Sequence, residues 1–370
     1  VNEYLKTYQM KLTAIGPVYV GSGREINKKE YMFYKSKTLG VVNTYKLYSY
    51  LQNKGLASEY ETYLLDNNKL GLKAWLAKHQ IEPEDVVDCI RYQVDCGDAL
   101  EEGGNRLQIS ECVKDAYHMP YIPGSSIKGM LRTILLAYEI QKNKSAYSGM
   151  KQTMKYNLSD GKGRNILKRE IGQMETIAFH TLKNEKRKED ALNDNMSGLQ
   201  VSDSEPLEVK DLVLCQKIDI MPDGTTNKLN ILRESVKPGT EIIFSISIDS
   251  TRCPYTIEDI MEAIQSFGQM YYDNFLSTFQ KFTRPAADTV YLGGGAGFAT
   301  KTIDYPLYGD DALEIIKEIF DKTLSPKAKR EHKHYLDHRY GVSPHMVKCT
   351  KYGGQILQMG MCKCTYQKLS

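Results

Sequence analysis

The sequence predicts an α+β fold, and three observations carry that reading. Residues 240–249 run Thr-Glu-Ile-Ile-Phe-Ser-Ile-Ser-Ile-Asp, an alternation with the two-residue period of a half-buried strand. Ile127, Leu131, Ile134 and Tyr138 recur at helical spacing behind the turn signal Pro123-Gly124. Residues 257–282 read as a second long helix, leading straight into a dense glycine loop.

From the N-terminus, residues 4–20 read as a strand and 31–42 as one or two more. Residues 45–76 are helix-rich, with Trp75 packing near the end, and 83–91 give a short helix. Residues 95–111 form a polar, glycine-containing loop. The helix behind Pro123-Gly124 extends to about Lys142. Residues 143–169 are polar with weak periodicity, and 172–192 hold a helix carrying the charge run 183–190. Residues 212–221 are a strand, and Pro222-Asp223-Gly224 is its turn. At 370 residues the chain is long enough for two domains, and Pro238-Gly239 marks the expected boundary between 1–237 and 238–370.

Composition narrows the function classes. Hydrophobic content of 41% and charged content of 26% are those of a soluble globular protein. No apolar run approaches a membrane span and the N-terminus lacks a signal-peptide core, so a cytoplasmic location with no membrane partner is expected. The net charge of +3 would not mark a nucleic-acid binder, but its placement does. Residues 322–351 carry eight Lys or Arg against the two acids Glu331 and Asp337, so the rest of the chain is slightly acidic. A phosphate-tracking groove needs such a basic stretch, and a solvated basic helix face is the rival. The 26 tyrosines could stack bases or pack subunit interfaces, though half-buried strand positions are their ordinary use. Cys349, Cys362 and Cys364 lie near His332, His334, His338 and His345, which raises the question of zinc. No Cys-x-x-Cys pair is present, so reduced buried thiols, without metal or other cofactor, are expected.

Residues 121–132, Tyr-Ile-Pro-Gly-Ser-Ser-Ile-Lys-Gly-Met-Leu-Arg, hold the densest chemistry. Ser125 or Ser126 can cap the helix, and Lys128 and Arg132 share one face of its start. Free amides, the positive end of the helix dipole and two cations make an anion site, for which phosphate is the natural ligand. The plainer alternative is a capped helix with two solvated cations. Gly124 and Gly129 have Walker-A spacing, but Met130 stands where the lysine belongs, which argues against a nucleotide-triphosphate engine. Two further glycine loops flank this segment. Gly21-Ser22-Gly23-Arg24 alone reads as a simple turn. Residues 292–301, Leu-Gly-Gly-Gly-Ala-Gly-Phe-Ala-Thr-Lys, demand positive φ or a close approach to the backbone at Gly293, Gly294, Gly295 and Gly297. Their amides can form an anion nest, with Phe298 as a stacking face and Lys301 as a phosphate contact.

These three segments resemble the signatures of the RAMP superfamily of CRISPR proteins. Residues 15–23, Ile-Gly-Pro-Val-Tyr-Val-Gly-Ser-Gly, are similar to its N-terminal signature, 122–132 to its central motif and 293–298 to its glycine-rich loop. The C-terminal Tyr340-Gly341-Val342-Ser343-Pro344-His345, with Gly360-Met361, is similar to the fifth-subunit family of type III-A (Csm) effector complexes. The resemblance implies two ferredoxin-like units with helical insertions and glycine-rich loops. It implies a non-catalytic subunit that caps the backbone filament at the 3′ portion of a guide (CRISPR) RNA. Guide RNA and backbone RAMP subunits would be its partners, and it would support guide maturation by placing or recruiting host trimming nucleases. The expected RNA-binding set is Gly21, Ser22, Gly23 and Arg24, then Gly124, Ser125, Ser126, Lys128, Gly129 and Arg132, then Gly293, Gly294, Gly295, Gly297, Phe298 and Lys301.

In the same superfamily the repeating backbone subunit cuts target RNA with an N-terminal aspartate, whereas this chain has none before Asp66. A metal-assisted cut needs a carboxylate to position the ion. The acidic loop 95–102 could mimic such a site, although a solvated acidic turn is the simpler reading. Two rival functions stay open. One is a metal-independent RAMP endoribonuclease, with His118 or His180 activating a 2′-hydroxyl. The other is a purely structural adaptor that binds protein subunits.

Overall fold

The structure, a computed structural model, describes residues 4–34, 37–67, 70–99, 108–161 and 166–369. Strand β1 (Leu5–Ala14) opens the chain, and its alternation sends Tyr8, Met10, Leu12 and Ala14 into the core. It stops short of the expected residue 20 because the Ile15 and Gly16 amides both donate to the Met361 carbonyl, leaving the ladder. β2 (Gly21–Ile26), β3 (Tyr31–Tyr34) and β4 (Thr38–Val42) follow.

Helices α1 (Thr44–Asn53), α2 (Ala57–Leu65) and α3 (Leu72–Lys78), with the 3-10 turn Pro83–Cys89, enclose a small core of their own around Leu47, Leu51, Tyr60 and Trp75. Trp75 stacks on Tyr63 at 5.2 Å, as its place near the end of this segment suggested. β5 (Ile90–Asp95) and β6 (Gln108–Cys112) come next, so the expected loop 95–111 ends in a strand. Residues 100–107 of that loop lie outside the described residues.

Helix α4 (Gly124–Lys142) is the predicted motif helix and buries Ile127, Leu131, Ile134 and Tyr138. α5 (Lys144–Asp160) corrects the weakly periodic reading of 143–169: Tyr147, Met154 and Leu158 form a sparse but sufficient buried stripe. α6 (Lys168–Phe179) ends before the charge run 183–190, which sits in turns because no apolar stripe runs through it.

β7 (Leu199–Val201), β8 (Leu212–Ile220), β9 (Thr226–Val236) and β10 (Glu241–Asp249) follow, β8 and β9 joined by the predicted turn. There the Asp223 carboxylate accepts from the Thr225 amide and hydroxyl. α7 (Ile257–Asn274) starts with a capping box between Thr256 and Asp259 and ends eight residues before the expected 282. The chain then runs through β11 (Thr289–Tyr291), α8 (Asp304–Tyr308), α9 (Ala312–Thr323), α10 (Pro326–His332) and α11 (Asp337–Tyr340). It closes with β12 (Val347–Tyr352), β13 (Gln355–Gln358) and β14 (Met361–Lys368).

Two sheets result. The smaller has the order β11-β14-β1-β10-β7, with every pair antiparallel, and α4 and α7 packed against each other. The larger has the order β2-β6-β9-β8-β5-β4-β3, with β12 attached to β8 and β13 to β12. It is mixed, because β5 runs parallel to β8 and β6 to β9. Both sheets draw strands from either side of residue 238, and one hydrophobic core runs from Tyr8 to Cys364. The expected boundary at Pro238-Gly239 is therefore the turn between β9 and β10, with pairing across it on both sides, and not a seam. Among the described residues no helix is long and apolar enough to cross a membrane.

Candidate nucleic-acid interface

Three segments more than a hundred residues apart meet at one cleft of about 360 Å³. Its walls include Gly21 at the start of β2, Ser126 and Gly129 on α4, Gly293 and Gly294 behind β11, and Lys301. Backbone contacts hold the glycine loop in place. The Gly294 amide donates to the Tyr19 carbonyl at 2.6 Å, and the Leu292 amide to the Gly360 carbonyl at 2.8 Å. Gly293 takes φ +84°, and a Cβ there would lie 2.2 Å from the Tyr19 oxygen. The close approach that the glycines signalled is thus made, at this position, by the protein's own chain.

The start of α4 differs from expectation in the same way. Pro123, not Ser125 or Ser126, is the cap residue, and neither serine side chain makes a capping bond. The Gly124 amide instead donates to Asp203 Oδ1 at 2.7 Å. A Cβ on Gly124 would stand 2.5 Å from the Val201 carbonyl, so β7 and the residues behind it fill the space over the first turn. The anion at the first amide is an internal carboxylate. What the helix offers to the cleft is the next surface along, with Ser125 and Gly129 exposed and Ser126 half-buried.

Neither Lys128 nor Arg132 lines the cleft, and Arg132 lines the adjoining pocket that shares Gly129 and Lys301 with it. Arg132 donates through Nε and Nη2 to Glu175 Oε2 at 3.3 and 3.1 Å, and through Nη1 to Asp194 Oδ2 at 2.8 Å. Its guanidinium also covers the Phe179 ring at 4.5 Å. This cation ties α4 to α6 and to the turn after it, so the phosphate role expected from its spacing meets an arginine already occupied. Lys128 forms no ion pair within 4 Å among the described residues. Its ammonium is held below the usual lysine range by desolvation and by Arg132, against the pull of Asp194.

Gly21–Ile26 is a strand paired with β6 rather than a simple turn. Ser22 Oγ donates to Glu111 at 3.3 Å, and Arg24 pairs with Glu30 and, at 3.8 Å, with Glu111. Gly23 has φ +85° with open space around it. Of this group only Gly21 reaches the cleft. Phe298 packs edge-on against Phe320 at 4.8 Å and lines a neighbouring apolar pocket of about 410 Å³, so its face is partly used internally. Lys301 lines both cavities. It reaches solvent, but the walls around it hold its ammonium below the usual range, desolvation first and Arg233 second.

The structure adds cations that sequence reasoning missed. Gly295 and Gly297 lie against Arg233 and Lys348: a Cβ on Gly295 would be 2.7 Å from Arg233 Nη1, and one on Gly297 3.8 Å from Lys348 Cγ. Lys217 stands on β8 between Cys215, which pairs with Arg233, and Asp219, which pairs with Lys348, so the two-residue alternation puts it on their face. Burial pushes Lys217 down to about 8, with Lys348 and Arg233 adding to the shift and Asp219 opposing it. His332 is lowered by burial and then by Lys348, His334 and Lys217. The only carboxylate these shifts name is Asp219, which pairs with Lys348 at 2.9 Å. The basic character of 322–351 signalled Lys348 and His332, but nothing local in the sequence joined them to Lys217 and Arg233.

Among the described residues the only grouping of His, Cys, Asp and Glu with donor atoms close enough to hold a metal is His334, Asp337 and His345, all buried. Asp337 already accepts from both imidazoles, from Ser343 Oγ at 2.5 Å and from the His345 amide. Burial would raise its pKa, but the bonds from His334, His345 and Ser343 win and bring it to about 2. The cluster reads as a pin between α11 and β12. All eight cysteines are free and buried, and burial pushes Cys364 up to about 12. His118 is exposed in a turn at φ +64°, and His180 Nδ1 bonds the Lys188 carbonyl at 2.8 Å. In the acidic loop, Asp95 accepts from the Gly97 amide and Asp98 from the Gly354 amide, as acids that hold turns do.

The chain is 27% identical to the CRISPR system Cms protein Csm5 of Mycobacterium tuberculosis (strain CDC 1551 / Oshkosh), over 100% of both chains. It is 28% identical to the Csm5 protein of Streptococcus thermophilus, over 82% of this chain and 81% of that one. Its fold is similar to a chain in the cryo-EM structure of a Csm-crRNA-target RNA ternary complex of a type III-A CRISPR-Cas system, with TM-score 0.67 at 20% identity, covering 97% of this chain and 100% of that one. The crystal structure of T. onnurineus Csm5 gives TM-score 0.62 at 18% identity, covering 95% and 99%. The sequence model of the RAMP superfamily matches residues 11–300, a span that takes in all three segments of the cleft, and the chain belongs to that superfamily.

Proposed function

We propose that this chain is a non-catalytic RNA-binding subunit of a type III-A CRISPR effector complex. It caps the backbone filament at the 3′ portion of the guide RNA, and supports guide maturation and antiviral defence. Guide RNA and backbone RAMP subunits are its partners, and trimming nucleases are recruited to it. The observation that carries the reading is the convergence of β2, α4 and the glycine loop on one cleft. Small residues there leave room for a sugar–phosphate chain, and Lys301 supplies charge. The described residues that line the cleft include no carboxylate and no imidazole, which favours holding RNA over cutting it. Relatives named Csm5 and the resemblance to a chain of a Csm-crRNA complex support the same assignment.

The smaller sheet supports the ferredoxin-like part of the reading. Its strands β14-β1-β10-β7 are all antiparallel, with α4 between β1 and β7 along the chain, and β14 stands in the fourth-strand position. The larger sheet, with its two parallel pairs, does not repeat that order.

The test is binding of single-stranded RNA by the full chain across a salt series. Lys301→Ala should weaken all sequences alike and flatten the salt dependence, since phosphate contacts carry no base information. A loss confined to some sequences would contradict the proposal. Incubation with a repeat RNA in EDTA should leave that RNA intact, and cleavage would favour the endoribonuclease alternative.

A further inference from the structure

Beyond the cleft, the glycine loop continues onto the group formed by Lys217, Arg233 and Lys348. Arg233 occupies the space a Cβ on Gly295 would need, and a Cβ on Gly297 would come within 3.8 Å of Lys348, so the loop that walls the cleft also lies beside this group. Lys301, at the end of the loop, links the two, because its charge is felt by Arg233. Three cations and His332 thus gather near one carboxylate, Asp219, which Lys348 already occupies, and Lys301 stands beyond Arg233.

Like charges brought together in a half-buried crevice repel, and folding alone gives no reason to collect them. Arg233 Nη1 is buried and has no hydrogen-bond partner among the described residues. Its guanidinium lies over the Tyr19 ring at 5.1 Å, which fixes its orientation without supplying an acceptor. Lys217 shares a face of β8 with Cys215, the partner of Arg233 on β9, and with Asp219, the partner of Lys348 on β12. The β8–β9 hairpin and the distant strand β12 therefore present cations on one side of the loop. What the arrangement lacks is an anion with several oxygens.

We infer that Lys217, Arg233 and Lys348 form a phosphate subsite, which takes the RNA backbone as it leaves the cleft over Gly295–Gly297. The inference rests on the RNA-binding reading above and adds residues that neither the motifs nor the cleft includes. The ligand is a phosphodiester. Contacts of this kind position the chain and carry no sequence information.

The test uses the full chain, Lys217→Gln and the conservative Lys217→Arg, with thermal unfolding to show that each is folded. Single-stranded RNA binding is measured from low to moderate salt, and inorganic pyrophosphate is titrated separately and read as a rise in Tm. Lys217→Gln should weaken RNA binding roughly five- to tenfold and lower the slope of log K against log salt by about 0.7, one phosphate contact on a single strand. Lys217→Arg should restore both. Pyrophosphate should raise the Tm of the parent chain and not that of Lys217→Gln. Equal RNA affinity and equal pyrophosphate response in the two proteins would overturn the subsite. RNA affinity kept while complex assembly is lost would also overturn it, and would assign the cations to a protein neighbour. A parent chain that responds to pyrophosphate through Lys217 but binds no RNA would keep the anion subsite and remove the RNA reading.

Discussion

Replacing Lys217 with methionine separates stability from binding, and the two should move in opposite directions. In the folded chain burial and the neighbouring cations hold the Lys217 ammonium at about 8, against an ordinary 10.5. A difference of that size is worth about 3 kcal/mol between the protonation states, at 1.36 kcal/mol for each unit. Partial exposure of the residue, which lets water screen the charge, reduces it to about 1–2 kcal/mol. The sign follows from proton binding. Below pH 8 both states hold the proton and the folded chain carries the full cost. Between pH 8 and 10.5 the unfolded chain binds more protons, so stability rises with pH. Above 10.5 the cost is gone. Lys217→Met should therefore raise the urea midpoint at pH 7, and the gap between the variant and the parent should close as pH approaches 10. Tyrosine and cysteine titrations are common to both proteins and cancel in the difference. The same variant should bind single-stranded RNA more weakly. A methionine variant that is less stable at pH 7, or a gap that does not change with pH, would refute the electrostatic account of the cluster.

Four other substitutions probe the cleft and the elements around it. Arg132→Ala should cost about 1–3 kcal/mol in urea unfolding, because it leaves Glu175 and Asp194 without their shared cation, while the salt slope of RNA binding stays unchanged. Gly293→Ala should destabilise by at least about 2 kcal/mol, since its φ of +84° and the Tyr19 oxygen both oppose a Cβ. Gly129→Ala meets nothing within 4 Å, so it should leave stability equal or raise it by up to about 1 kcal/mol while narrowing the RNA cleft, which an affinity measurement would show. Asp337→Asn should remove about 2 kcal/mol at neutral pH. The folded carboxylate titrates at about 2, below its unfolded value, so this stability is present above pH 4 and is lost as pH falls through 2. Acid unfolding of the asparagine variant should be correspondingly flatter.

Local pattern made much of this legible. Alternation located β10, helical spacing located α4, and glycine density located the loop that walls the cleft. Long-range pairing was not legible. Nothing in residues 361–368 announces that they run beside β1 as the neighbour of the chain's first strand, and that pairing removes the seam expected at 238. α5 was obscured because three buried side chains suffice to seat it, too few to stand out as a period. Arg132 showed its charge but not its partners, which lie 43 and 62 residues further on. The serines behind Pro123-Gly124 looked like caps, yet Asp203 takes that role from another segment. The cation cluster was hidden for a related reason. Its members sit on β8, β9 and β12, and only the pairing of those strands brings Arg233 and Lys348 to the face that carries Lys217, which no single segment displays.

The most direct measurement is a photocrosslink from the 3′ portion of the guide RNA in a reconstituted effector complex, mapped by mass spectrometry. The account predicts crosslinked peptides from the first turns of α4 and from the 292–301 loop, extending to the β8 segment that carries Lys217. Crosslinks confined to the other subunits would contradict it, and would leave this chain as a protein adaptor whose glycine loops serve only its own packing.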